Sequence, residues 1–410
     1  MWQKITNIFT NPKAIVYTLS GVLITLPMGY FINTLSVILF VVTTIFCAKE
    51  NGFKINRKLV PLVLIYLLML VSVLWSIDRG ATISALTKEL SLLVIPIAFF
   101  MIPNLTKEQT RLIFRNYSYS MVFYGLFYLI IATIRYVIFE VTDVFFYHEL
   151  VTKDVNAIYV SVFMSFAMFF FITKKSKKLL DKGIIIFLLM IVFLLSSKNI
   201  VVVDILLIIS YYLFSIKTDL KTRIISIVFL TIGIIGLFYV GKIKERFLHE
   251  NQSNIQEAWT CTDFGQNYYL PGTAFRVYQF RIFTEMLQED PIFFTGYGLN
   301  ASKPKIEAKT VQYNLHNGYG GFNFHNQYTQ IFAELGVLGF LLLLLILFIN
   351  LRKSIINKDF LHIAFAITMI ILFLTESFLW RQRGVVFFTI IYCVFITTDV
   401  MSKKVILKRD

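Results

Sequence analysis

The sequence predicts an all-α membrane protein with about twelve transmembrane helices and one large extracytoplasmic (periplasmic) loop that contains short helices. Three observations predict this class. Hydrophobic residues make up 57% of the 410 residues and charged residues only 15%, whereas soluble domains have about 25% charged residues. Apolar runs of roughly 17–25 residues, each long enough to cross a bilayer, recur along the whole chain. Apolarity is continuous within them, as in residues 60–75, which favours helices whose backbone groups bond internally.

The apolar runs give the order of the predicted helices and one long interruption. Nine predicted spans precede the interruption and three follow it, at residues 13–31, 34–48, 59–76, 84–102, 117–139, 155–173, 183–197, 199–216, 222–241, 327–350, 359–379 and 384–401. No small-residue cleavage site follows the first stretch, so we expect a retained helix and not a signal peptide. The chain thus divides into nine helices within residues 1–241, an extracytoplasmic loop at 242–326, and three helices with a cytoplasmic tail within 327–410.

The distribution of basic residues predicts the orientation of the chain. The net charge is +15, and lysines and arginines cluster in every second connection, as around residues 49–58, 107–115 and 174–182. The alternate connections, such as 77–81 and 140–154, carry few of them. Because basic loops stay on the cytoplasmic side of a membrane, we expect both termini in the cytoplasm. The same placement makes the lipid bilayer, and not nucleic acid, the expected partner of this charge.

The loop at 242–326 is too long to be a simple connection, because structureless loops above about 12–15 residues are uncommon in compact proteins. It contains a helical pattern at 274–289 that ends at Asp290-Pro291, where proline stops a helix. Two glycine-rich turns follow, at residues 296–298 and 316–321. These features predict a folded cap over the outer membrane face.

Three cations on the outer side are candidates for binding an anionic ligand. Lys198 lies in a short polar break that interrupts an apolar stretch and predicts a tight hairpin at the membrane surface; a turn that merely needs polar residues is the alternative. Arg276 and Arg281 lie on the predicted loop helix, where a separation of five residues places them about 140° apart. They do not both face one ligand, so we favour Arg276 and expect a solvated face for Arg281. Arginine binds phosphate oxygens in a bidentate manner, which suits a pyrophosphate.

One histidine and two acids at the same face are candidates for proton transfer and for orienting a cation. His325 lies where the loop re-enters the membrane, and histidine can take a proton from a sugar hydroxyl near neutral pH; a buried, hydrogen-bonded histidine is the alternative. Glu334 follows about two turns into the next span. Glu376 lies near the outer end of the eleventh span, where local ion pairing with Arg381 and Arg383 is the alternative. No second ligand accompanies His325 at metal spacing, and the three cysteines show no disulfide or metal pattern.

These residues belong to an ordered series of short motifs that resembles the O-antigen ligase and O-antigen polymerase family of bacterial membrane glycosyltransferases. The series consists of Arg276 with Phe280 four residues later, Asp290-Pro291, Gly296-x-Gly298, His325-Asn326-x-Tyr328 and Glu334-Leu335-Gly336-x-x-Gly339. Two positions depart from the family. Its polar break usually reads Ser-Arg where this chain has Ser197-Lys198, and its aromatic residue after the arginine is often Trp where this chain has Phe280.

The resemblance implies a reaction on the periplasmic face of the bacterial inner membrane. The donor is a glycan linked through pyrophosphate to undecaprenol, and the acceptor is a hydroxyl group, which in the ligases belongs to a sugar of the lipid A-core. The implied roles are His325 and Arg276 as catalytic residues, with His325 as the base of an inverting displacement, Lys198 and Arg281 as pyrophosphate-binding residues, and Asn326, Tyr328, Glu334 and Glu376 as supporting residues. The resemblance implies no cofactor, nucleotide sugar or metal.

Three alternatives remain at this point. The polymerases of the same family share the fold and the motifs and extend lipid-linked repeat units, so the acceptor stays open, with a preference for the ligase. A transporter of the lipid-linked glycan should show internal repeats and charged residues at the membrane midplane, whereas here the polar residues gather at one face. A non-catalytic scaffold would not need a histidine and arginines in this register.

Overall fold

The computed structural model describes residues 12–152, 155–195, 197–215 and 254–399. These residues form α-helices joined by turns, without a named strand. The helices are α1 (Pro12–Ile24), α2 (Tyr30–Asn51), α3 (Val60–Val71), α4 (Arg79–Glu89), α5 (Ser91–Phe100), α6 (Lys107–Phe139), α7 (Ala157–Ile172), α8 (Leu179–Leu194), α9 (Lys198–Ser210), α10 (Ile255–Thr260), α11 (Gly272–Glu289), α12 (Lys303–Gln312), α13 (Gln327–Asn357), α14 (Phe360–Leu372) and α15 (Gln382–Thr397). A single turn at Tyr147–Leu150 precedes α7.

Several of the described helices have the length and composition of membrane spans. Four helical segments are long and apolar enough to cross a bilayer, namely Tyr30–Lys49, Arg79–Phe100, Lys107–Phe139 and Gln327–Asn357. Shorter apolar helices accompany them at Lys13–Ile24, Val60–Leu74, Ala157–Ile172, Phe360–Leu372 and Gln382–Thr397. The all-helical class is therefore as predicted, and the count of twelve stays a prediction. The predicted span 222–241 lies outside the described residues, as does the beginning of the loop, 242–253.

Aromatic side chains fill the interior of the bundle. Phe166 of α7 lies 5.1 Å from Phe114 of α6, 5.9 Å from Phe365 of α14 and 6.1 Å from Phe387 of α15, measured between ring centroids. All four side chains are buried. Aromatic rings bury large apolar areas and favour such edge-to-face contacts, so this cluster holds four helices together.

Residues 254–324 form a cap that has its own apolar core. The predicted helix at 274–289 lies within α11. This helix begins at Gly272, directly after Pro271, and ends at Glu289, directly before Asp290. Its buried face, including Tyr278 and Ile282, packs together with Ile306 of α12. The long loop is thus folded rather than extended.

Backbone hydrogen bonds join the cap to α13. The N–H groups of Tyr297 and Gly298 donate to the carbonyl groups of Ala333 and Glu334, at 2.8 and 2.9 Å. These carbonyl groups are open to the cap because α13 is broken at Gly336, which has φ 64° and ψ −165°. We call this connection the glycine joint.

Gly296, which directly precedes Tyr297 in the joint, and Gly336 are both required by close approach. A Cβ atom at Gly296 would lie 2.2 Å from the carbonyl carbon of Glu334, and one at Gly336 would lie 2.3 Å from that of Phe294. Gly336 also needs its positive φ, which other residues rarely adopt. The Gly-x-Gly motif and the Glu-Leu-Gly motif are therefore two sides of one contact.

The break turns α13 back sharply. With 31 residues in α13 and 13 in α14, straight helices would be about 46 and 20 Å long. The two helices nevertheless meet at both ends, because Gln327 N donates to Phe373 O at 2.8 Å and Asn357 is close in sequence to Phe360. The segment before Gly336 must therefore fold back towards the end of α14.

Candidate active site

His325 lies at the end of the cap, directly before α13. Its backbone is left-handed, with φ 46°, and its N–H donates to Asn323 Oδ1 at 2.9 Å. Asn326 begins the helix, since its Oδ1 accepts from the N–H groups of Tyr328 at 2.9 Å and Thr329 at 3.1 Å. An asparagine here satisfies two of the N–H groups that a helix start leaves open. The turn and the helix start together fix the direction in which the His325 side chain leaves the backbone.

The imidazole of His325 faces the carboxylate of Glu376. His325 Nδ1 lies 3.4 Å from Glu376 Oε2, and the side chains are 24% and 5% exposed. Phe275 and Phe322 flank the ring at centroid distances of 5.5 and 5.7 Å. An imidazole with one nitrogen at a carboxylate and with part of its surface open can exchange a proton at its other nitrogen.

Gln327 positions the two chain segments that carry this pair. Its N–H donates to Phe373 O at 2.8 Å, and its Oε1 accepts from Leu379 N at 2.7 Å. Phe373 and Leu379 lie on either side of Glu376 in the connection between α14 and α15. The start of α13 therefore fixes both His325 and Glu376.

Arg276 of α11 reaches the residue that precedes Glu376. Its Nε donates to Thr375 O and its Nη1 donates to Gly272 O, each at 2.9 Å. Two bonds in one plane fix the orientation of the guanidinium. In the part of the chain that the structure describes, Nη2 donates to no protein acceptor, so it remains available for a ligand oxygen.

The polar break that contains Lys198 also contacts Thr375, from the side of the helix bundle. Lys198 and Asn199 are the first two residues of α9, and Asn199 Nδ2 donates to Thr375 Oγ1 at 2.6 Å. Ser196 lies outside the described residues. A helix start carries partial positive charge, to which Lys198 adds a full one. The segments that carry Lys198, Arg276 and the His325–Glu376 pair thus converge on Thr375.

Arg281 does not join this group. Its Nε donates to Glu285 Oε1 at 2.9 Å, its Nη1 donates to Cys261 O at 2.7 Å, and its guanidinium lies 4.3 Å from the centroid of Tyr313. The expected solvated face is wrong, because Arg281 is only 8% exposed. Burial alone raises the pKa of Glu285, but hydrogen bonds from Tyr313, Lys309 and Arg281 outweigh it and hold this pKa below its ordinary value. Arg281 is therefore part of a cap network.

Two further predicted residues, Tyr328 and Glu334, contact the scaffold that carries the His325–Glu376 pair. Tyr328 OH donates to Ile370 O at 2.9 Å and ties α13 to α14. Glu334 is buried, and its carboxylate accepts from Gln330 Nε2. Gln330 Oε1 in turn accepts from Phe324 N at 3.1 Å. In the described part of the chain Glu334 pairs with no cation, so it contacts the scaffold that carries His325.

Three residues of this arrangement were not predicted, namely Asn199, Gln327 and Thr375. Asn199 follows Lys198 directly, and this adjacency was the available signal. No local pattern marks Thr375, because its carbonyl contacts Arg276 across 99 positions of sequence. For Glu376, local ion pairing was the alternative, and the structure instead gives it His325 as a partner, while Arg383 Nη2 donates to Met28 O at 2.7 Å.

A comparison with known families agrees with this geometry. Residues 183–344 match the family model described as O-antigen ligase. The match extends from α8 to α13, and Lys198, Arg276 and His325 all lie inside it. No curated protein matches the chain. The family comprises membrane enzymes of the ligase or polymerase type. Residues 183–344 of this multi-pass membrane protein are therefore similar to the O-antigen ligase family, as the motifs in this region predicted.

Proposed function

We propose that the protein is an O-antigen ligase-type glycosyltransferase, which moves a glycan from undecaprenyl pyrophosphate to a sugar hydroxyl of the lipid A-core. The reaction takes place on the periplasmic face of the bacterial inner membrane, with both termini in the cytoplasm. The observation that carries the proposal is the convergence at residues 375–376, where a histidine–carboxylate pair lies beside a fixed arginine. This arrangement offers a proton acceptor and an anion site within one small region.

His325 acts as the base in this proposal. When Nδ1–H points to Glu376, Nε2 keeps its lone pair and accepts the proton of the acceptor hydroxyl. The hydroxyl oxygen then attacks the anomeric carbon from the side opposite the pyrophosphate, so the configuration inverts. Glu376 stabilises the imidazolium that forms. The Nδ1–Oε2 distance of 3.4 Å is long for a hydrogen bond, as is common in catalytic pairs without substrate.

In this proposal, Arg276 and Lys198 stabilise the leaving group. As the bond between the anomeric carbon and oxygen breaks, negative charge develops on undecaprenyl pyrophosphate, and cations held in place stabilise it. Arg276 is pre-oriented by its two carbonyl partners. Lys198 contributes a charge without a bidentate fork. Arg281 is left out of the proposal because Glu285 and Cys261 already occupy its guanidinium.

A reconstituted transfer assay tests the proposal. Liposomes would contain the wild type, His325→Ala or His316→Ala, together with an undecaprenyl-pyrophosphate-linked repeat unit, with and without lipid A-core. His316 is the matched control because it is exposed and its Nδ1 only accepts from the nearby Gly318 N. We expect a product on lipid A-core for the wild type and His316→Ala, and a loss of at least about 100-fold for His325→Ala.

The other outcomes decide between the alternatives. A ladder on the undecaprenyl carrier in the absence of lipid A-core would make the enzyme a polymerase. His325→Ala with the activity of the wild type would remove the base assignment for either acceptor. Flipping of the lipid-linked unit without any transfer would replace the enzyme with a transporter.

A further inference from the structure

One helix of the bundle exposes a polar face at the end that carries the cap. In α4, the buried face includes Ala85, Leu86 and Glu89, while Ser84, Thr87 and Lys88 are exposed together with one apolar residue, Ile83. Lys88 lies nine residues after the start of α4, which is about 13 Å along the helix axis. An ammonium group at such a depth is costly in lipid unless water or an anion reaches it. Lys88 therefore needs water or an anionic group beside it.

Lys88 contacts an aromatic ring, and its charge also acts on the buried carboxylate of Glu89, the next residue. Its Nζ lies 5.9 Å from the ring centroid of Trp380, and in the described part of the chain no carboxylate lies within ion-pair distance of it. Trp380 is held in place, since its Nε1 donates to Asn300 Oδ1 at 2.9 Å. Arg381, the next residue, is exposed. An open cation beside a fixed indole ring suits an anionic sugar, whose C–H surface packs on the ring.

Lys88 and Trp380 form a second cationic corner. The segment that carries Trp380 also carries Glu376, the partner of the proposed base. The connection between α14 and α15 carries Glu376 in its middle. Towards α14, Thr375 contacts Arg276 and Asn199. Towards α15, Trp380 contacts Lys88. Along this connection, Glu376 thus lies between two separate cationic corners, one at Arg276 and Lys198 and one at Lys88.

We propose that Lys88 and Trp380 form the binding corner for the anionic glycolipid that accepts the glycan. The inference rests on the proposed function, because a transfer between two lipid-linked substrates requires that both reach one base at once. With Arg276 and Lys198 at the pyrophosphate of the donor, the opposite corner is left for the phosphate-bearing acceptor. Lys88 binds its anionic group, and Trp380 packs against a sugar ring.

Equilibrium binding with two probes tests this assignment without turnover. The detergent-solubilised full chain would be titrated with lipid A-core and, separately, with undecaprenyl pyrophosphate. Lys88→Gln should weaken lipid A-core binding about tenfold, which corresponds to about 1.4 kcal/mol, and leave undecaprenyl pyrophosphate binding within about twofold. Lys198→Gln should show the reverse pattern. Lys303→Gln is the matched control, because Lys303 is an exposed cap lysine, and it should change neither.

Each other outcome overturns the assignment. If Lys88→Gln weakens undecaprenyl pyrophosphate binding instead, the corner belongs to the donor. If it changes neither probe, Lys88 is a solvated lysine only, and if the wild type does not bind lipid A-core, no acceptor corner exists. The proposed function fails separately, by the absence of transfer in the liposome assay, whereas a selective loss of lipid A-core binding in Lys88→Gln would stand without it.

Discussion

A carboxylate that is 5% exposed needs a partner, because a buried charge is costly without one. For Glu376 that partner is the imidazole of His325. In the proposed mechanism, Nδ1–H donates to the carboxylate and Nε2 accepts the proton of the substrate. The same mechanism requires the carboxylate to hold the imidazole in one tautomer and to stabilise its protonated form.

Removal of the Glu376 charge should lower turnover more than binding. Glu376→Gln keeps a hydrogen-bond acceptor for Nδ1–H but no longer stabilises the imidazolium. We expect kcat to fall at least about tenfold, with KM for donor and acceptor within about threefold. Glu307→Gln, a change at an exposed acid of α12, should leave both parameters unaltered. Steady-state kinetics with the purified protein measures this, and an unchanged kcat in Glu376→Gln would contradict the role of the pair.

Asn326 should act through the orientation of His325. Asn326→Ala removes the side chain that accepts two N–H groups at the start of α13, which costs about 1 kcal/mol at a helix start. We expect a lower thermal midpoint together with a several-fold lower kcat. Asn326→Asp, which also caps helices well, should restore both. If Asn326→Ala loses stability but keeps full kcat, Asn326 is structural only.

At the residue scale the sequence predicted the main groups but not all their partners. Lys198, Arg276 and His325 stand out because polar residues in apolar surroundings are conspicuous and carry family motifs. The burial of Arg281 was missed, because helix phase alone does not separate a solvated face from a paired one. Glu285, four residues later on the same helix face, was the available signal for that pair.

Among the elements, the glycine joint makes the cap and α13 one unit. Gly296→Ala or Gly336→Ala places a Cβ atom within 2.2–2.3 Å of a backbone carbonyl carbon, and backbone cannot move aside as a side chain can. We expect a large loss of monodisperse protein in size-exclusion chromatography and a lower thermal midpoint. Gly183→Ala is the control, because a Cβ atom there meets nothing within 4 Å. Normal folding of Gly336→Ala would mean that the break in α13 is not required.

The cap should lose stability in acid. Burial alone raises the pKa of Asp290, but hydrogen bonds from Lys305 and Tyr297 outweigh it, so its pKa is lowered, as is that of Glu285. A group whose pKa is lower in the folded state stabilises that state above its unfolded pKa of about 4. This stability is lost as the pH falls through the lower, folded pKa.

Limited proteolysis of the cap between about pH 6 and pH 3 tests this expectation. Cleavage within residues 254–324 should increase as the pH falls, while the bundle stays intact. Glu285→Gln should flatten the pH dependence and weaken the cap at pH 6, because it removes the titrating group and its ion pair with Lys309, at 3.0 Å. The same pH dependence in Glu285→Gln as in the wild type would exclude Glu285 as its source.

Sequence patterns predicted which elements exist better than where they break. The predicted helix at 274–289 is found within α11, because proline and amphipathic spacing mark it clearly. The predicted span 84–102 is found as two helices, α4 and α5. A hydropathy window averages over the polar first half of this span, so the break between the two helices does not appear in it. The motif at Gly336 does not predict a break, since the positive φ of this residue follows from a contact with the cap that the sequence does not display.

For the whole molecule, composition alone indicates the class, and the alternation of basic loops indicates the orientation. The orientation can be measured with a membrane-impermeant maleimide on intact cells, in a Cys261→Ser background. Lys303→Cys in the cap should be labelled from outside, whereas Glu108→Cys at the start of α6 should be labelled only after lysis. Both positions are exposed, so accessibility itself does not bias the comparison. The reverse pattern would invert the topology and remove the periplasmic assignment.

The glycine joint also sets where this protein can be recombined. A chimera that takes a foreign cap between residues 254 and 326 would part Gly296 from the α13 backbone against which it packs. The incoming loop would then face carbonyl groups shaped for another chain. A crossover placed after residue 340 would carry both sides of the joint together, along with His325. The inherited unit is therefore the cap with nearly the first half of α13.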